Sequence, residues 1–281
     1  MLLFNKKKEK GAKMNLVVLN TKGGVGKTTI AVHMLPYLFR DKGEMTLYHI
    51  DNNNKIDYKT KNFKIKQFRI NQTNDAIDEV ELNSLVDENK INIIDAGGGD
   101  DTKRVLKALS EAMVPVKFII PIDQNLQSRT NLSQTIEEIS TRFPNPEIYV
   151  VLSRIFNKNE IKKEFISIYG NETFGVSAID ADTLQKIKDF GFMPFWSVLQ
   201  IFDAQKTALL DKFLSIEELI KDKDKLIKEF VEKLKQDNNE EMTEKYKKFK
   251  QTLREAEEIY KYSKNLDKIN KNFVTKINER D

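Results

Sequence analysis

Between Asn15 and Thr29 the chain reads "NLVVLN" and then "TKGGVGKTT". An apolar run, a glycine-rich stretch ending in a lysine and two threonines, and then a helical period through Ile30, Met34, Tyr37 and Leu38 predict a strand, a tight loop and a helix in direct succession. In such a loop consecutive backbone N–H groups converge on an anion at a helix N-terminus, where the peptide dipoles favour negative charge. Gly23, Gly24 and Gly26, with Val25 between them, let the backbone wrap closely. Lys27 is placed to neutralise the β and γ phosphates of a nucleotide, and the Thr28 hydroxyl, followed by Thr29, is placed to ligate Mg²⁺.

The rest of the first 200 residues suits such a loop. Short apolar runs at 15–20, 45–51, 91–95, 116–122 and 147–153 alternate with helical patterns at 28–41, 102–113, 130–142 and 158–169. That order predicts an α/β fold, a mostly parallel sheet with helices on both faces. Pro36 inside the first helix is expected to kink or shorten it. Within 52–90, "FKIKQFRI" is a candidate extra strand and "NDAIDEVELNSLVDE" reads as one short helix or two. "INIIDAGGGDD" supplies Asp95, an acid at the end of an apolar strand where a Mg²⁺ hydration shell needs one, and Gly97 to Gly99 behind it form a loop able to move with a γ phosphate.

The loop departs from the ordinary phosphate-loop pattern in having Thr21 where glycine is usual and a second lysine, Lys22, immediately after. At residues 22–28 the sequence resembles the ParA/MinD family of deviant-Walker ATPases, matching K-G-G-x-G-K-[ST] at every fixed position. The likeness extends loosely over residues 14–205. It implies a P-loop NTPase fold, ATP and Mg²⁺ as ligands, ATP hydrolysis, and a homodimer in the ATP state in which Lys22 reaches the partner's nucleotide. It also implies an acidic pair at the end of the second strand. Here "HIDNNN" offers only Asp51, which matches either member; if it is the first then Asn53 falls in the water-positioning place, and because an amide cannot accept a proton, hydrolysis is expected to be slow or partner-stimulated. Where the family often has an adenine-binding asparagine, after the strand at 147–153, this chain has Ser153 and Arg154.

The likeness stops before the C-terminus. From about Ser215 the chain is charge-dense and free of glycine and proline. Ile216, Leu219, Ile220, Leu226, Ile227, Phe230 and Leu234 share a helical face. After "DNNEE", Met242, Tyr246, Phe249, Leu253, Ala256 and Tyr260 follow at coiled-coil spacing, so an α-helical hairpin is expected. Three units result: a flexible basic extension at 1–13, an ATPase domain at 14–214 and a charged, coiled-coil-like extension at 215–281. Met14 is an alternative start. In the extension Lys245, Lys247, Lys248 and Lys250 form a basic run, and five further lysines between 261 and 276 face one acid, Asp267. They are candidates for nonspecific DNA binding; about five phosphate contacts correspond to a log–log salt slope near −4.5. The stripe Leu266, Ile269, Phe273, Val274 and Ile277 can instead lie on a membrane, as in MinD-like members, or pack a hairpin.

Composition narrows the classes. The 281 residues contain no cysteine, excluding disulfides and thiolate metal sites, and no apolar run approaches the ~20 residues of a membrane span. A net charge of +4 is compatible with an anionic partner. His33 and His49 have no ligand-spaced partners and read as structural, and Trp196 reads as a packed aromatic. The expectation is a cytoplasmic, nucleoid-associated ATPase of plasmid or chromosome partition with a ParB-like stimulating partner. Two alternatives stand beside it: a membrane-associated positioning ATPase, and a conjugation or assembly ATPase working through its C-terminal helices.

Overall fold

The computed structural model describes residues 13–87, 89–112, 114–237 and 239–279, so residues 1–12 of the expected basic extension lie outside the described residues. Seven strands, β1 (Met14–Val18), β2 (Glu44–Ile50), β3 (Lys64–Phe68), β4 (Lys90–Ala96), β5 (Lys117–Ile122), β6 (Glu147–Ile155) and β7 (Ile187–Pro194), form one sheet in the order β3-β2-β4-β1-β5-β6-β7. Every neighbouring pair is parallel. The five expected strands are all present, each end within two residues of its expected place. "FKIKQFRI" does form a strand, β3, and β7 is one that the apolar pattern did not mark.

Parallel strands bury both faces, and alternate residues divide between two cores. Leu16, Leu47, Ile93, Ile119 and Val151 face one side. Val17, Tyr48, Ile94, Ile120 and Val150 face the other. The second core is closed by α3 (Thr73–Val86), α4 (Asp100–Glu111) and α5 (Ser128–Ser140), through residues such as Val80, Leu109 and Ile136. The stretch expected as one helix at 158–169 is two short pieces, α6 (Ile161–Glu164) and α7 (Ile166–Tyr169), preceding α8 (Ala181–Gln185).

The helix after the phosphate loop is interrupted by a change of pitch. It begins as α1 (Lys27–Thr29), widens into a π turn over Ile30–Met34 and resumes as α2 (Leu35–Leu38). Pro36 has no N–H to give and its ring would crowd the preceding turn; the wider turn accommodates it. All five π-turn residues are buried.

On that same face the C-terminal helices complete the core. After α9 (Val198–Ala204) come α10 (Leu209–Lys221), α11 (Lys223–Gln236), α12 (Glu240–Ile269) and α13 (Lys271–Asn278). Ser215, where the composition changes, lies inside α10. An antiparallel hairpin is built as the spacing predicted: Phe230 stacks on Phe249, Lys223 pairs with Glu257 at 3.0 Å, and Phe213 stacks on Tyr260. Its two ends differ. No residue of α11 is buried, whereas Phe213, Leu266, Phe273 and Ile277 join the core beneath the sheet.

The stripe Leu266–Ile277 is therefore packed inside the protein rather than free for a membrane surface. Among the described residues no helix is long and apolar enough to cross a membrane. Asn270, at the α12–α13 junction, accepts from the Phe192 N–H and donates to the Phe192 carbonyl, pairing with the edge of β7 as another strand would. Gly191 makes room beside it, since a Cβ there would meet Phe273 ring atoms at 2.9–3.1 Å.

Asp267, the lone acid among the five lysines, turns inward. It accepts from the Tyr37 hydroxyl at 2.8 Å and from both terminal nitrogens of Arg40 at 3.0 and 2.9 Å. This ties α12 to α2. Asp267→Ala leaves a buried hydroxyl and a half-buried guanidinium without their acceptor, and is expected to cost about 2 kcal/mol of stability in urea denaturation. A loss below about 0.5 kcal/mol would show that the tie contributes no more than an ordinary surface pair.

Candidate functional site

β1 delivers the chain to the loop at the C-terminal edge of the sheet, and the first loop residues are fastened to the neighbouring elements. The Asn20 amide donates to the Pro121 carbonyl and its Oδ1 accepts from the Lys22 N–H. The Thr21 N–H and hydroxyl both meet the Thr135 hydroxyl on α5. Gly24 and Gly26 take φ values of 76° and 93°, a left-handed backbone that other residues enter at a cost. From the β6 side, the Ser153 hydroxyl lies 3.0 Å from the Val25 carbonyl and Arg154 donates to the Gly24 carbonyl at 3.2 Å. Both residues that stand in for the family's asparagine therefore grip the loop.

Lys27 is only 9% exposed, and its ammonium donates to the carbonyls of Lys22 (3.0 Å) and Asn20 (3.4 Å). Burial lowers its pKa, opposed by Asp95, Asp51 and Asp101. An ammonium has three donors, so one remains to meet an anion in the loop. Lys22 differs. Among the described residues its side chain makes no hydrogen bond or ion pair, and only its backbone is engaged.

At the end of β4, Asp95 is 1% exposed. Its Oδ2 accepts from the Thr28 hydroxyl at 2.8 Å and from His49 Nδ1 at 2.9 Å, while its Oδ1 is buried without a partner. A bare carboxylate oxygen beside a loop threonine fits a hydrated Mg²⁺, an ion that keeps several waters and needs few protein ligands. Among the described residues no group of three or more His, Cys, Asp or Glu could hold a metal ion.

His49 is the residue that sequence reasoning missed. Register places it directly beside Asp95 on the adjoining strand. Its other nitrogen, Nε2, faces the Asn54 carbonyl at 2.9 Å, so both ring nitrogens donate. Burial works against the charged ring, but the Asp95 hydrogen bond and charge outweigh it and raise the pKa. The one available signal was a histidine inside the buried run "TLYHI". His33 is also committed: it accepts from the Leu209 N–H at Nδ1, so Nε2 donates to Asp203, which the Tyr58 hydroxyl also reaches.

Asp51 and Asn53 share one turn. Asp51 Oδ1 accepts from the N–H groups of Asn53 (2.6 Å) and Asn54 (3.1 Å), and Oδ2 accepts from the Asn54 side chain (2.9 Å). Partial burial pushes the Asp51 carboxyl up, but these donors prevail and hold it below its usual range. Asn53 contributes its backbone and is exposed.

The glycine loop after β4 lies against the phosphate loop. Gly97 donates to the Ile50 carbonyl and Gly99 to the Thr21 carbonyl, each at 2.9 Å. A Cβ on Gly98 would stand 3.3 Å from the Gly23 nitrogen and 3.4 Å from the Lys27 ammonium. Beside Gly26 and Thr29 a pocket opens between Arg154, Phe195, Trp196 and Asp203. On the first half of α12, Lys245 pairs with Glu241 (2.6 Å) and Lys247 with Glu244 (2.7 Å). Lys248 and Lys250 make no ion pair among the described residues.

A parallel sheet whose central strand feeds a glycine loop around a buried lysine, with the next strand ending on a carboxylate bonded to that loop's threonine, is a P-loop NTPase fold. Within that class the profile of the CobQ/CobB/MinD/ParA nucleotide binding domain (CbiA) matches residues 16–192, and the chain belongs to this family, whose ParA/MinD members are P-loop ATPases. Similar solved structures include the MinD cell division protein of Aquifex aeolicus, at 17% identity and a TM-score of 0.47 over 73% of this chain and 90% of that one. An ATP complex of Cyanothece McdA has 14% identity and a TM-score of 0.45 over 71% and 90%. The septum site-determining protein MinD of Pyrococcus horikoshii with Mg-ADP has 12% identity and a TM-score of 0.43 over 69% and 86%. No curated protein sequence matches the chain.

Proposed function

We propose that the protein is an ATP-dependent dimerising switch of the DNA-partition type, which binds DNA without sequence preference in its ATP form and hydrolyses ATP slowly. The observation that carries this reading is a contrast within one loop: Lys27 is buried and bonded, whereas the Lys22 ammonium has no partner among the described residues. The loop amides and Lys27 hold the β and γ phosphates. Thr28 and the free oxygen of Asp95 hold Mg²⁺, which when bound with the nucleotide neutralises charge on those phosphates. Asp51 orients the attacking water, and because both its oxygens are engaged in their own turn, turnover is slow without a stimulating partner. Lys22 of one protomer reaches the nucleotide of the other.

Phosphate contacts to DNA come from the lysines of α12 and α13, Lys248 and Lys250 foremost. The exposed helix pairs of Lys245 and Lys247 exchange readily for phosphate. A second reading rests on α11, where no residue is buried: the hairpin end is then the working surface of an assembly ATPase. A steady-state ATPase assay separates the two, since a rate that ignores DNA favours the second.

The central test is Lys22→Ala. The variant is expected to bind Mg·ATP within about threefold of the parent, a difference of under 1 kcal/mol, and to remain monomeric by light scattering where the parent pairs. Normal pairing by the variant would remove the reason for this proposal.

A further inference from the structure

Five residues from three separate segments of the chain form one continuous line of hydrogen bonds from the phosphate loop to the surface. Thr28 donates to Asp95 Oδ2, His49 Nδ1 donates to the same oxygen, and His49 Nε2 donates to the Asn54 carbonyl. Asn54 then returns two bonds to Asp51, one to each carboxylate oxygen. Asp95 and His49 are 1% and 2% exposed, whereas Asn54 is exposed, so the line leaves the core and ends in solvent.

We propose that His49 and Asn54 are positioning residues that transmit the placement of the Asp95 carboxylate to Asp51, holding both Asp51 oxygens inside its own turn until Asp95 is drawn toward a divalent cation. This deepens, and rests on, the nucleotide-site reading above.

The physical reasons lie in the ring and in the unequal oxygens of Asp95. Imidazole is rigid, so its two nitrogens move as one body. A displacement that Asp95 imposes on Nδ1 therefore moves Nε2 as well, and a hydrogen bond weakens steeply once its geometry departs from linear. Asp95 also has somewhere to go: Oδ2 carries two donors and Oδ1 none, so a cation near Thr28 gains most by drawing on the oxygen that is free. At the far end Asn54, alone among the described residues, bonds both His49 and Asp51, at 2.9 to 3.1 Å. When its carbonyl is released, the turn it braces loosens, and Asp51 regains an oxygen for water. A histidine that merely filled a polar gap beside Asp95 would satisfy the carboxylate with one nitrogen; the second bond, to an exposed loop carrying the next acid, is what a brace requires.

The full-length chain and its His49→Gln and Asn54→Ala variants test this by two measurements that need no turnover. One is the Mg²⁺ concentration for half-maximal binding of a fluorescent ADP analogue; the other is amide hydrogen exchange across residues 51–56 with ADP, with and without Mg²⁺. In the parent, Mg²⁺ is expected to speed exchange across 51–56. His49→Gln, which keeps one donor of two, should shift the Mg²⁺ midpoint about tenfold, the loss of one charge-assisted hydrogen bond, and abolish the Mg²⁺ effect on exchange. Asn54→Ala removes only the exposed side-chain bond to Asp51 Oδ2, since the bonds to His49 and to Asp51 Oδ1 are made by backbone atoms. It should exchange fast at 51–54 with or without Mg²⁺, at an unchanged midpoint. Parent exchange that ignores Mg²⁺ while ADP binds, or variants that match the parent in both measurements, overturns the brace alone. A parent that binds no ADP analogue overturns the nucleotide reading and the brace with it.

Discussion

Lys27→Ala protein is expected to bind Mg·ATP about 10- to 100-fold more weakly than the parent while melting within a few degrees of it. The ammonium sits almost buried in the loop and its visible bonds are to two backbone carbonyls, so the third donor is the one available to phosphate. A charge-assisted hydrogen bond contributes about 1.5–3 kcal/mol, so the one remaining donor accounts for about one to two decades in affinity. Its effect on folding has the opposite balance. Burial already disfavours the charged form, with Asp95, Asp51 and Asp101 compensating in part. Calorimetric titration and a thermal melt on one sample check both halves, and binding within about threefold of the parent, under 1 kcal/mol, would sink the assignment of Lys27 to the phosphates.

The second large effect concerns the far end of the chain. Phe273→Ala is expected to destabilise the protein by about 3–5 kcal/mol, the usual range for a fully buried phenylalanine, and so to lower Tm by roughly 10 °C. Phe273 is 1% exposed, meets Tyr149 edge-on at 5.9 Å and fits over the bare backbone of Gly191. The sheet beneath is hydrogen-bonded on both sides of β6 and cannot collapse into the hole. Gly191→Ala should mimic the change from the other partner, because the added methyl would lie 2.9–3.1 Å from the ring. A melt shifted by less than about 2 °C in both would mean that α13 is an appendage and not a wall of the core.

The two residues also mark how unevenly the chain reveals itself. The phosphate loop was legible residue by residue, because glycine positions, a lysine and a hydroxyl are each dictated by local backbone geometry and by the ligand's charge. Strands β1, β4 and β5 were legible because burial on both faces leaves unbroken apolar runs. β3 and β7 were not equally clear, since they close the two ends of the sheet and carry partly exposed, charged residues such as Lys66 and Asp189. Edge strands are defined by what lies beside them. For β7 that neighbour includes Asn270, some 78 residues further on.

The candidate site divides in the same way. Asp95 was identifiable from its own strand, but His49 lies 46 residues before it, and only parallel register places the two side by side. Asp267 read as the odd acid in a basic helix; the fold turns it onto Tyr37 and Arg40, more than 220 residues upstream. The apolar stripe of the last helices was equally suited to a hairpin, a membrane surface or a core. Its amphipathic spacing states that one face must be covered and is silent about the cover.

By itself, then, the sequence determined which segment can wrap phosphate, which strands are buried, and that the C-terminal extension from residue 215 is helical, because each of these depends on steric and solvation preferences acting over a few residues. Tertiary structure alone decided that His49 is set against Asp95, that Lys27 is enclosed while the Lys22 side chain finds no partner among the described residues, and that the base of the charged hairpin completes the core. Those outcomes depend on which distant surfaces exclude water together, and no local pattern encodes that.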